Sequence, residues 1–78
     1  MKHSCLLSEL PPHTTAVIVR LDRSDALGKR LADLGVTEGE RITAEFKSPF
    51  GDPVAYRVKD CLLALRKKDC GTVEVAYE

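Results

Sequence analysis

Few side chains in this sequence have the type and spacing that chemistry requires. The candidates are His3 and His13, Cys5, Cys61 and Cys70, the tripeptide Gly51-Asp52-Pro53 and the basic run Arg66-Lys67-Lys68. Three thiols without a CxxC spacing form neither a disulfide framework nor a zinc ribbon, and they suit a reducing cytosol. A closed tetrahedral metal site wants paired ligands, such as C-x2-C with H-x3-H, and these five scattered side chains offer no such pair. Gly51-Asp52-Pro53 lacks the GxxxxGK[ST] context of a phosphate loop, so it reads as turn chemistry. His3 lies near the terminus and His13 follows a proline pair, so neither is placed to orient a nucleophile. The residues therefore indicate no catalytic group, no cofactor and no enzyme.

Two features point to binding. The α-amine of Met1, two backbone amides and His3 can enclose Cu(II) or Ni(II) in a square plane, a geometry unsuited to ferrous iron. His3 is thus a weak metal candidate, for pickup in vitro. Between Val54 and Lys68 stand five basic residues, Arg57, Lys59, Arg66, Lys67 and Lys68, against one acid, Asp60. Such a run is ordinarily a solvated turn, but it can also steer an acidic protein partner. Phe50, between Pro49 and Gly51, is hard to bury in a small fold and is the natural anchor for such a partner, the alternative being that it folds back to plug one end. Four aromatics, Phe46, Phe50, Tyr56 and Tyr77, are too few to line a polyproline groove or an RNA-stacking platform. With 12 basic and 12 acidic residues the chain has no net field to attract nucleic acid.

The elements that must position these residues follow from local patterning. Seventy-eight residues leave room for one core, so 1–78 is read as one domain, mainly β, and the 44% hydrophobic content makes packing its main support. No apolar run approaches the ~18 residues of a membrane span, so any membrane role comes through a partner. Pro11-Pro12 blocks a helix, and the leucines before it form a lead-in. Thr14 to Leu21 is dense in β-branched residues and reads as a strand with Val17 and Val19 in the core. Ser24 is placed to cap a short helix whose Leu27, Leu31 and Leu34 form one stripe, stopped by Gly35. Glu40 to Lys47 alternates with Ile42, Ala44 and Phe46 inward, and after the turn at 48–53 Val54, Tyr56 and Val58 alternate in the same way. Lys59-Asp60 is a tight turn into Cys61 to Arg66, and a polar loop leads to Thr72 to Ala76. Five short strands with brief connections imply an antiparallel sheet curled on itself, which removes exposed edges. Val58, Leu65, Val73 and Val75 complete the expected core.

The order of motifs is more telling than any one of them. LGKRLADLGVTEG is followed by PFGDP and then LALRKKDCGTVEV, with Leu34-Gly35, Gly39, Gly51-Asp52-Pro53 and Leu65-Arg66 at the marked positions. From about Ala16 to Val75 the chain resembles the FeoA family. That resemblance implies an SH3-like barrel and a cytoplasmic accessory role in bacterial ferrous iron uptake, with docking on the cytoplasmic part of the FeoB transporter. Phe50, Arg57, Lys59, Arg66, Lys67 and Lys68 are the candidate contact residues, and weak self-association is a further option. Two other readings are a transition-metal carrier or sensor and the regulatory SH3-like part of an iron-dependent repressor assembly. For the repressor reading, nothing ahead of the domain supplies a DNA-reading helix. Cys70 stands where family members often carry alanine or another apolar residue, which implies a small buried side chain without a redox role.

Overall fold

A computed structural model of the chain describes residues 2–78. The β-branched and alternating stretches are strands, and the turn clusters join them. Among the described residues there are six strands: β1 (His3–Leu6), β2 (Thr15–Leu21), β3 (Arg41–Lys47), β4 (Val54–Val58), β5 (Cys61–Leu65) and β6 (Val73–Tyr77). They form one antiparallel sheet in the order β1-β6-β2-β3-β4-β5. One helix, α1 (Ala26–Asp33), follows β2, and 3-10 segments occupy Leu7–Glu9 and Lys67–Thr72. The expected small antiparallel barrel with a short helix is present. The extra strand comes from the leucine-bearing lead-in, where residues 3–6 pair with β6. The curl does not close its ladder, because β1 and β5 remain the two edges.

The inward faces depart from simple alternation at two bulges. In β2 the register shifts between Ile18 and Arg20. Ala16, Ile18 and Leu21 are buried, Val17 is half-buried and Val19 is 46% exposed. An extra residue in one strand flips the following side chains to the other face. Without the bulge Leu21 would share the face of Val19. With it, the buried set skips Val19 and Arg20 and resumes at Leu21. The second bulge lies between Ala44 and Phe46, and it turns Phe46 out to 57% exposure while Ile42 and Ala44 stay buried. The expectations that Val17, Val19 and Phe46 enter the core are corrected accordingly.

Helix α1 begins one residue later than Ser24 suggests. Asp25 is the N-cap residue, and its carboxylate accepts from Thr72 Oγ1 at 2.8 Å instead of capping the helix. The N–H and Oγ of Ser24 both donate to Asp22 Oδ1, which folds the preceding turn. At the other end Gly35 N–H donates to Ala32 O and Val36 N–H to Leu31 O, with Gly35 at φ +82°. This is the Schellman arrangement, which requires a left-handed residue just past the cap and brings the next residue back against the helix. Val36 and Leu31 are both fully buried as a result, and Leu34, at the cap itself, is 44% exposed. The third leucine of the stripe is therefore replaced in the core by Val36.

Leu7 and Leu10 are core residues too, packed in one cluster with Ile42, Tyr56, Val73 and Val75. Tyr56 Oη donates to Leu7 O at 3.2 Å, which gives its buried hydroxyl a partner and ties the N-terminal segment to β4. At Gly28 the chain makes its closest approach, since a Cβ built there would lie 1.7 Å from the backbone oxygen of Asp22. Helix propensity alone would favour alanine at this site by about 1 kcal/mol. The clash decides the sign: we expect Gly28→Ala to destabilise the fold by about 1–3 kcal/mol, the usual range for overpacking. Urea unfolding of the purified variant measures this. A stability equal to or above that of the parent would show that α1 does not pack on the Asp22 carbonyl.

Candidate partner-binding site

The turn between β3 and β4 is built by local hydrogen bonds. Gly51 N–H donates to Ser48 O at 2.9 Å and Ser48 N–H to Pro53 O at 3.1 Å. Pro49 takes the second position of the turn, where its fixed φ is favoured, and Gly51 follows at φ +83°. Phe50 is left at the tip, 95% exposed. The carboxylate of Asp52 reaches across to the 3-10 segment after β5. It accepts from Lys67 N–H at 2.9 Å through Oδ1, and Arg66 Nη1 lies 3.8 Å from Oδ2. The PFGDP and RKK motifs, separated in sequence by residues 54–65, thereby become one surface.

The six residues singled out by sequence are not all together. Phe50, Arg66, Lys67 and Lys68 lie at the end of the sheet where β3 turns into β4 and β5 ends. Lys59 occupies the β4–β5 turn at the opposite end, with Nζ 3.1 Å from Glu40 Oε1. Arg57 is the penultimate residue of β4, toward the Lys59 turn, with Nε 3.2 Å from Glu45 Oε2. Lys67 and Lys68 have no ion-pair partner among the described residues. Of the six, the cations without an ion-pair partner, Lys67 and Lys68, thus lie at the Phe50 end.

Sequence patterning missed two contributors. Phe46, turned outward by its bulge, and Lys47 line a cavity of about 110 Å³ together with Leu10, Val54, Tyr56 and Lys67. No local signal marks a bulge, and only the pairing of Phe46 with Ala55 discloses it. The site can bind an apolar side chain, and its cations can accept neighbouring carboxylates.

The thiols and histidines are dispersed. Cys70 is fully buried, Cys5 half-buried and Cys61 exposed, all of them free. Burial pushes the Cys70 thiol up to about 11, against the opposing effect of its hydrogen bond with Tyr56, so it is protonated at neutral pH. Burial likewise raises the Tyr56 hydroxyl well above its ordinary value, and raises Cys5 with help from Glu9. Among the described residues no three His, Cys, Asp or Glu side chains gather as a metal site. His3 stacks on Tyr77 with ring centroids 5.1 Å apart. Met1, whose amine the copper arrangement needs, lies outside the described residues.

Comparison with known proteins identifies the family and the fold. The family model described as "FeoA domain" matches residues 5–77. A curated protein of Porphyromonas gingivalis, the "Fe(2+) transport protein A/Fe(2+) transporter FeoB fusion protein", is 39% identical over 69 residues. The match takes in 88% of this chain but only 8% of that protein, so the chain corresponds to a small part of it. The solution structure of iron(II) transport protein A from Clostridium thermocellum superposes with a TM-score of 0.81 at 33% identity, over 94% of this chain and 45% of that one. The crystal structure of Stenotrophomonas maltophilia FeoA complexed with zinc, described as a procaryotic SH3 domain protein, gives 0.78 at 36% identity over 92% and 89%. The architecture is thus SH3-like.

The buried thiol generates a pH prediction. A group whose folded pKa is raised keeps its proton in the native state after the unfolded chain has lost it, so stability falls from about pH 9, the ordinary thiol value, and levels off above about 11. Tyr56 acts in the same direction at higher pH. Thermal unfolding followed from neutral to alkaline pH should show this decline, and Cys70→Ala should flatten its first part. An identical pH profile for parent and variant would assign the alkaline loss elsewhere. Thiol reagents at neutral pH should label Cys61 first and reach Cys70 only on unfolding.

Proposed function

This chain belongs to the FeoA domain family, and on that premise we propose that it is a cytoplasmic accessory protein of ferrous iron uptake that docks on the cytoplasmic part of the FeoB transporter. The observation that carries the reading is the Porphyromonas gingivalis relative, which joins a segment similar to this chain to an FeoB transporter in one polypeptide. A tether raises the effective concentration of two modules to the millimolar range, so a modest interface suffices in the fusion. Where no tether acts, affinity depends on anchors within the interface itself. Phe50, exposed on a turn braced by Asp52, supplies the apolar one, with Phe46 beside the neighbouring cavity. Arg66, Lys67 and Lys68 supply a positive field that hastens encounter with an acidic surface. Arg57 and Lys59, already matched by Glu45 and Glu40, add specificity more than attraction.

The exposed aromatic anchor supports a role exerted by binding. Among the described residues no helix is long and apolar enough to cross a membrane, so contact with the bilayer would be made through the transporter. Docking would bias whichever state of the transporter presents the complementary face, since a ligand shifts an equilibrium only by its differential affinity.

Association kinetics with an immobilised cytoplasmic FeoB fragment test this reading. Phe50→Ala should mainly speed dissociation, weakening binding by about 2 kcal/mol or more. The double reversal Lys67→Glu with Lys68→Glu should slow association and reduce its salt dependence. All three positions are exposed, so both variants should keep the parental unfolding curve. Parental kinetics in the two folded variants would remove this face from the docking site.

A further inference from the structure

Strand β5 is an edge of the sheet, and nothing in its sequence defends it. Cys61–Leu65 contains no charge and no proline, and its pairing with β4 runs from Val58↔Cys61 to Val54↔Leu65 without a bulge. Edge strands ordinarily carry one of these devices, because an open row of N–H and C=O groups is a template for another strand. Val58 and Cys61 flank a two-residue turn, Lys59-Asp60, in which both residues have positive φ. In such a hairpin the flanking pair is hydrogen-bonded and the pairs alternate from there. The backbone groups of Leu63 and Leu65 therefore face β4, and those of Leu62 and Ala64 face outward. No backbone hydrogen bond satisfies the outward groups among the described residues.

At the C-terminal end of this edge, beside Ala64 and Leu65, lies an open cleft of about 430 Å³ between β5 and α1. Its volume falls within the range of about 300–1,000 Å³ over which pockets hold ligands. Leu27 and Leu65, both buried, line its base, and the small side chains of Ala26 and Ala64 leave room for a backbone to approach. The charged residues lining it are Arg30, Arg66 and Lys68 against a single carboxylate, Asp69. Arg30 and Lys68 take part in no ion pair among the described residues, and Arg66 is only loosely held by Asp52 at 3.8 Å. On a chain of balanced charge, this is a locally positive groove alongside unpaired strand groups.

We propose that the β5–α1 cleft binds an extended, acidic peptide segment by strand addition, with main-chain bonds to Leu62 and Ala64 and with carboxylates met by Arg30, Arg66 and Lys68. Main-chain pairing supplies affinity, and the flanking cations select for acidic side chains at alternate positions. The surface shares Arg66 and Lys68 with the basic run beside the Phe50 turn but does not include Phe50, and it can be probed without the transporter, so either reading can fail alone.

The probe is a blocked hexapeptide of alternating valine and glutamate, titrated into the ¹⁵N-labelled full chain. We expect saturable shifts at Arg30, Leu62, Ala64 and Arg66, with new protection from hydrogen exchange at the Leu62 and Ala64 amides. The valine–lysine counterpart should not bind. Ala64→Pro removes an outward N–H without touching the β4 ladder, so it should abolish binding in a folded protein. Arg30→Glu, on the exposed side of the helix, gives an independent arm and should weaken binding by about tenfold while leaving the fold intact. Absence of protection at Leu62 and Ala64, equal binding of the lysine peptide, or parental binding by the Arg30→Glu variant would overturn the proposal. Concentration-dependent protection of the β5 amides without peptide would also overturn it, by assigning the edge to a second copy of the chain.

Discussion

A sheet whose side chains alternate with a period of two cannot wrap a small core without breaking its own period, and most of what this molecule presents to solvent depends on where those breaks fall. The bulge at Val19 lets β2 return Leu21 to the interior after two outward residues. The bulge before Phe46 has the opposite outcome, taking a large aromatic out of the core and leaving it beside a cavity floored by Tyr56 and Val54. Bulges increase local twist and bend the strand that carries them, and curling needs that bend. The exposed aromatic is thus a by-product of the geometry that encloses the core.

A second constraint is the tie between distant turns. Asp52 accepts from the Lys67 backbone and lies near Arg66, so the β3–β4 turn and the start of the second 3-10 segment hold one another in place. Rigid loops make better anchors than mobile ones, because less side-chain and backbone entropy is lost on association. Arg23 and Glu38 form the equivalent clamp at the other end of the fold, with a bidentate contact that holds the Glu38 carboxyl near 2. Both tethers join loops that no strand ladder orders.

Charge is distributed by the same logic. Twelve acids and twelve bases cancel over the chain, but local pairing leaves an imbalance. Glu40 and Glu45 neutralise Lys59 and Arg57 on one part of the hairpin, while Lys67, Lys68 and Arg30 keep unmatched charge around the Phe50 turn and along the β5–α1 cleft. Exposed pairs of this kind add little stability, and their larger effect is to decide where a partner feels a field.

Local chemistry was legible in the residue order. The Pro-Phe-Gly turn, the Lys59-Asp60 reversal, the Gly35 helix stop and the alternation of Val54, Tyr56 and Val58 depend on contacts within a few positions of each other, so the residue order alone determined them. The same order showed the run of motifs shared with the FeoA family, and that resemblance implied the burial of Cys70. What it could not show were features set by partners far along the chain. Leu7 and Leu10 join the core because Tyr56 and the 3-10 segments meet them there, and Gly28 is required by the carbonyl of Asp22, which a helix propensity cannot sense. Phe46 and Val19 face outward because register is settled strand against strand. The basic hairpin divides because Glu40 and Glu45 lie across from it, and the β5 edge acquires a cleft only when α1 packs alongside. Each of these is decided by pairing across space, which becomes defined only after the chain has folded.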